Sequence, residues 1–135
     1  MDGETLTRRH EGEALHPYTD TRGKTTIGIG RNLSDKGISS AEMLMMFQRD
    51  YAEAKDEAKA YDWYGSLNEP RQAVIVDMIF ELGAAGFRKF NRMHQAIQVG
   101  DFHGAVAEML NSAWAAQVPK RALDDAGIMD TGEWP

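Results

Sequence analysis

Glycines at 12, 23, 28 and 30 and a proline at 17 divide the stretch His10–Gly30, H-E-G-E-A-L-H-P-Y-T-D-T-R-G-K-T-T-I-G-I-G, so closely that only short elements fit between them. Gly12 follows Glu11 at once and suits the residue that ends a helix, with Asp2 or Thr5 as the cap at its other end. His16 to Asp20 reads as a short extended run, with Pro17 acceptable only near a strand's start or edge. Thr21 to Lys24 is turn-like, and Gly23 is free to take positive φ. Thr25 to Ile29 is strand-like, rich in β-branched residues.

Side-chain alternation along Thr25–Ile29 places Ile27 and Ile29 on one face and Thr26, Gly28 and Gly30 on the other. The isoleucines are expected in the core, with Thr26 facing outward over glycines that admit a close approach. A three-residue loop Arg22-Gly23-Lys24 sets Asp20 opposite Thr26 on that open face. The pattern therefore allows two carboxyls, Glu11 and Asp20, and one hydroxyl, Thr26, to converge. Two carboxyls with room for a water suit glycoside hydrolysis, in which one protonates the leaving oxygen and the other activates water or attacks the anomeric carbon. Spacing alone does not separate this from two ordinary surface acids.

The register E-G-x-x-L-x-P-Y-x-D-x-x-G-x-x-T-I-G-I-G, as it stands here from Glu11 to Gly30, resembles the signature of the phage-type lysozymes, the endolysin family that includes the T-even phage enzyme. Later segments resemble the family in order: F-E-L-G at Phe80–Gly83, G-F-x-x-F-x-R-M, A-x-M-L-N-S-x-W, P-K-R-A, and a C-terminal anchor at Thr131-Gly132-Glu133-Trp134. Arg31 stands where the T-even type has histidine, which is expected to remove one structural ion pair. Glu81 stands where that type has glutamine.

Composition bounds the chain in ways that fit and in one way that does not. At 135 residues and 42% apolar, it suits a single globular domain with a real core. No run reaches the length of a membrane span, the N-terminus has no apolar signal region, and there are no cysteines. Residues 1–31 are balanced in charge, and the net −6 comes from the remainder. That argues against a nucleic-acid binder. It also gives no long-range attraction to an anionic cell wall.

Beyond Gly30, Arg31 to Ile38 reads as loop. Ser39-Ser40-Ala41-Glu42 is a capping box that opens a helix from Ser40 to about Ala60, with the Met43–Met46 cluster as core packing. Asn68 caps the next helix, with Pro70 in its first turn, and its apolar residues from Ala73 to Leu82 run almost all round, so it should be the buried centre of the second lobe. Short helices follow. One opens at Gly86 and Phe87. Another runs from Asn91 to Val99 and stops at Gly100, and a third is capped by Asp101. The last begins at Pro119 and stops at Gly127. None of the four histidines has the spacing to another that a helical metal site uses.

The resemblance implies an α+β fold: a small N-terminal lobe of about 12–60 with a hairpin or short sheet, a long connecting helix, and a helical C-terminal lobe of about 61–135 that takes in the first helix, 1–11. It implies a peptidoglycan hydrolase cleaving the β-1,4 bond between N-acetylmuramic acid and N-acetylglucosamine, with inversion. Glu11 is then the general acid in a partly desolvated site, Asp20 the ionised partner, and Thr26 the holder of the water. Gly30, Asn32, Phe80 and Glu81 would contact substrate, and Arg121 would support the acid. Bacterial peptidoglycan is the expected partner, with no cofactor, metal, nucleic acid or membrane insertion. The chain is expected to be a monomer made in a host cytoplasm without a signal peptide and acting on the cell wall. The alternatives are a lytic transglycosylase, which needs no paired aspartate, and a non-catalytic sugar-binding or structural descendant.

Overall fold

A computed structural model describes residues 1–135. The fold is α+β, with one three-stranded antiparallel sheet and eight α-helices. The chain forms two compact units, Met1–Met46 and Phe47–Pro135.

The first unit opens with α1, Gly3–Glu11, capped by Asp2, whose side chain accepts from Thr5 N. Gly12 ends it at φ 73, and its N–H donates to Arg8 O. The sheet order is β1 (Ala14–Thr19), β2 (Thr25–Gly28), β3 (Arg31–Asn32). Pro17 lies within β1, where the pairing with β2 is irregular between Ala14 and Tyr18. Arg31–Ile38 is not the loop its turn formers suggested. Asn32 ends β3 and caps a single-turn helix, α2 (Leu33–Lys36), that closes at Gly37. One turn is too short to leave a periodic signal.

Two expectations for the hairpins are overturned. The register sets Tyr18 opposite Thr26 and Thr19 opposite Thr25, not Asp20 opposite Thr26. Asp20 N instead donates to Lys24 O at 2.8 Å, and Gly23 N to Asp20 O at 3.0 Å, so the loop is Thr21-Arg22-Gly23. The burial pattern also reverses. Thr26 is 4% exposed, whereas Ile29 is 44% exposed. With Ile27 opposite Arg31, Ile29 falls between Gly28 and Gly30 at the tip of the next turn, both glycines at φ 69, and leaves the strand's alternation.

The boundary between the units falls within α3 (Ser40–Lys59). Its capping box forms as read: Glu42 N donates to Ser39 Oγ at 3.1 Å, and Ser39 N to Glu42 Oε1 at 2.9 Å. Arg31, expected to cost an ion pair, makes a different one, with Nη1 2.8 Å from Glu42 Oε1 and 3.2 Å from Gly37 O. These bonds hold the Glu42 carboxyl down at about 2. The Met43–Met46 cluster is not core. All four residues are substantially exposed; four consecutive helical residues point to different sides of the axis and could not all have faced one core.

The buried apolar residues all belong to the second unit. Its centre is α4, Glu69–Arg88, capped by Asn68 with Pro70 in the first turn, and Val74, Ile75, Val76, Met78 and Ile79 are buried along it. Gly83 at φ 74, ψ 165 breaks α4 immediately after Leu82, so the following turn starts at Ala84, ahead of the Gly86 expected. Around it pack α5 (Asn91–Gln98), α6 (Phe102–Leu110), α7 (Ala113–Gln117) and α8 (Pro119–Thr131). Phe87, Met93, Met109 and Met129 are fully buried among them. His94 sits in an aromatic cluster, its ring 4.7 Å from Phe87 and 4.9 Å from Tyr61, and burial pushes its pKa down.

The last helix does not stop at Gly127. It runs on to Thr131 and ends at Gly132, which has the left-handed conformation φ 72, ψ 18. A glycine inside a helix costs about 1 kcal/mol relative to alanine, and burying Met129 beyond it offsets that. The C-terminal anchor works through backbone, not through Trp134, which is 56% exposed. Asn68 Nδ2 donates to Gly132 O at 2.9 Å, and Arg71 donates to Met129 O and Asp130 O at 2.8 and 2.9 Å. Arg71 also lies 3.6 Å over the Phe102 ring.

Candidate active site

In the first unit the backbone brings the two carboxyls and the hydroxyl onto neighbouring elements. Glu11 is the last residue of α1 and is exposed. Its carboxyl lies against Gly30, where an added Cβ would stand 2.6 Å from Cδ and Oε2. Only a residue without a side chain leaves that space, so Gly30 shapes the seat of Glu11. The partial desolvation expected for the acid is not supplied by this unit.

Asp20 is half-buried at the mouth of the hairpin. Its Oδ1 accepts from the backbone N–H groups of Arg22 and Lys24, each at 2.8 Å. This side-chain turn selects the observed register over the one read from a loop Arg22-Gly23-Lys24, because it closes the loop on Asp20 itself. It leaves Oδ2 without a protein donor among the hydrogen bonds of this turn. Thr26 Oγ1 donates to Lys24 O at 3.2 Å, the same carbonyl that accepts from Asp20 N. One peptide, that of Lys24, thus ties Asp20 to Thr26. The Thr26 hydroxyl has spent its proton and keeps lone pairs free to accept.

Asn32 is a cap. Its Oδ1 accepts from Asp35 N at 3.1 Å, and its Nδ2 donates to Asp35 Oδ2 at 3.0 Å. Lys24 Nζ meets the other oxygen of Asp35 at 3.0 Å. Asp35 is consequently pulled below the usual carboxylate range, first by Lys24 and then by Asn32.

In the second unit, Phe80 is partly exposed and packs on the Phe47 ring at 5.8 Å. Glu81 Oε2 accepts from the indole N–H of Trp114 and lies 4.0 Å from Arg121. Arg121 itself is held by Asp77, Nε to Oδ2 and Nη2 to Oδ1, both at 2.8 Å. Asp77 and Trp114 were missed as site-related residues. The signal available for Asp77 was its place, with Glu81, as one of two charges in the apolar run Ala73–Leu82. Trp114 also lines a groove of this unit, together with Phe90, Arg92, Glu108 and Ser112. No group of three or more His, Asp or Glu side chains comes together in a way that could hold a metal ion.

A small antiparallel sheet followed by a helical unit is consistent with a lysozyme-like α+β fold, the fold of a lysozyme-type peptidoglycan hydrolase. The sequence profile of the family described as phage lysozyme matches residues 8–126, and the chain belongs to that family. Its relatives are distant. A protein of Dictyostelium discoideum named probable T4-type lysozyme 2 is 28% identical over 90% of this chain and 89% of its own length. Probable T4-type lysozyme 1 of the same organism is 27% identical over the same shares. The pre-baseplate central spike protein Gp5 of Enterobacteria phage T4 is 29% identical over 94% of this chain, which spans only 27% of that protein.

Proposed function

We propose that this chain is a muramidase, cleaving the β-1,4 bond from N-acetylmuramic acid to N-acetylglucosamine in bacterial peptidoglycan with inversion. The observation that carries this reading is the Lys24 backbone, whose N–H donates to Asp20 Oδ1 and whose carbonyl accepts from the Thr26 hydroxyl. With its proton committed, Thr26 accepts a hydrogen bond from a water molecule. Asp20, oriented by two amides, takes that water's other proton as it attacks the anomeric carbon. Glu11 gives its proton to the departing glycosidic oxygen, and the bound sugar supplies the desolvation that the unit alone does not. Gly30 and Asn32 of the first unit contact substrate. In Asn32 the capping bonds leave only one amide hydrogen and one lone pair for that contact.

The test is lysis of chloroform-treated Gram-negative cells, followed by analysis of the released ends. A reducing muramic acid end supports hydrolysis. An anhydro end would replace it with transglycosylation, and binding without lysis would make the chain a non-catalytic descendant.

A further inference from the structure

The second unit carries a pair of acids that the reaction does not use. Asp77 on α4 is bonded through both oxygens to Arg121 on α8. Asp125, one helical turn after Arg121, is 7% exposed, and its Oδ2 is buried with no donor in reach. Its acidic neighbour is Asp77, close enough for a side-chain hydrogen bond. Two carboxylate oxygens in contact repel each other, whereas a proton between them makes a short O–H···O⁻ bond.

We infer that Asp77 and Asp125 share one proton in the folded protein, with Asp125 donating to Asp77, and that this pair is a pH-operated latch between α4 and α8. The inference does not depend on the reaction proposed above. With the proton in place, Asp77 is the sole ionised acid of the pair and matches the single guanidinium of Arg121. With the proton lost, two adjacent carboxylates, one of them buried, face one cation.

The surroundings agree. Burial, and then Asp77, push the Asp125 carboxyl up to about 8. Burial alone would raise Asp77 too, but the hydrogen bonds from Arg121 and Asp125 bring it below the usual range. The other charges are few. From α4 there is Glu81, beside Arg121. From α8 there is Asp124, which adds to the upward push on Asp125. Helix α7 has no titratable side chain. Helix α6 has His103, occupied with Asp130 at 3.2 Å, and Glu108, which lines the groove with Arg92.

An acid whose folded pKa lies above its unfolded one stabilises the fold fully below the ordinary carboxylate value. That stability is lost as pH rises through about 8. The experiment compares urea unfolding of wild type and Asp125→Asn across this window. The asparagine amide donates to Asp77 at every pH and cannot ionise. Between roughly pH 5 and 7 the wild-type unfolding constant should rise about tenfold per pH unit relative to that of the variant. Infrared difference spectra of the wild type should show a protonated carboxyl at pH 7 that disappears in alkali. Equal pH slopes for the two proteins would overturn the latch. So would the absence of a protonated carboxyl at pH 7, a measurement that stands even if Asp125→Asn does not fold.

Discussion

The Glu11 carboxyl rests on the bare Cα of Gly30, so a methyl group there would stand 2.6 Å from both Cδ and Oε2. Gly28 has the same φ of 69, yet nothing lies within 4 Å of its would-be Cβ. The two positions therefore separate backbone strain from displacement of the acid. Either alanine substitution should destabilise by about 1–2 kcal/mol, the ordinary cost of a left-handed non-glycine residue. Gly30→Ala should in addition lose lysis, while Gly28→Ala keeps most of it. Thermal melts and turbidity traces on the pair check this, and equal lytic rates would show that the Glu11 seat does not matter.

Glu11→Gln removes the proton donor and little else, because Glu11 is exposed. Lytic rate should drop by about 10²–10⁴-fold, the usual contribution of a general acid, with the melting temperature unchanged. A variant retaining a large part of the wild-type rate would take the acid role from Glu11.

The stereochemical prediction follows from the water assigned to Asp20 and Thr26. Inversion at a β-linked substrate gives the α-anomer first, and requires the carboxyls to stand roughly 6.5–9.5 Å apart. NMR of the nascent reducing end decides it. A β-anomer as first product would make Asp20 a nucleophile.

Acid should weaken the second unit through His94. Burial holds its pKa below the ordinary value of 6.5, so the folded state binds this proton less readily than the unfolded chain. The stability it contributes is present above pH 6.5 and is lost as pH falls toward the depressed value. His94→Phe keeps a ring among Tyr61, Trp63 and Phe87, and should flatten that acid limb in a pH series of unfolding curves. An unchanged acid limb would place the effect elsewhere.

Salt should affect lysis weakly or in the inverse sense. With a net charge of −6, added ions screen repulsion from an anionic wall more than attraction to it. A steep loss of activity between low and moderate salt would instead show that cations of the first unit, Arg8, Arg9, Arg22, Lys24 and Arg31, govern the approach.

What the sequence disclosed was local. The Gly12 stop, the Ser39–Glu42 capping box, and the caps at Asn68 and Asp101 are each set within four residues, and each formed as read. Features decided at a distance were not legible. The chain at Gly127 looks like a helix end, but the burial of Met129 carries α8 past it. The loop Arg22-Gly23-Lys24 gave Thr26 the wrong partner, because the Asp20 side chain closes the hairpin one residue earlier, on Thr21-Arg22-Gly23. Asp77 and Asp125 lie far apart in sequence, and nothing in either segment announces the other. For the candidate site, Glu11, Asp20 and Thr26 were legible as candidates, while the Lys24 backbone that bonds to two of them was not.

The clasp from α4 to the end of α8 has a consequence for how the chain is made. Asn68 and Arg71 reach acceptors 58 to 64 positions downstream, at Met129, Asp130 and Gly132. As synthesis proceeds from the N-terminus, the opening turn of α4 exists long before those carbonyls do. Until they emerge, the Arg71 guanidinium has no backbone to grip, and the helix at the heart of the second unit stays unfastened at its start. A ribosome stalled at Gly127 would hold a chain with its core residues nearly all present and its fastening absent. The codons for Met129 to Gly132 are therefore the ones that fasten the start of α4.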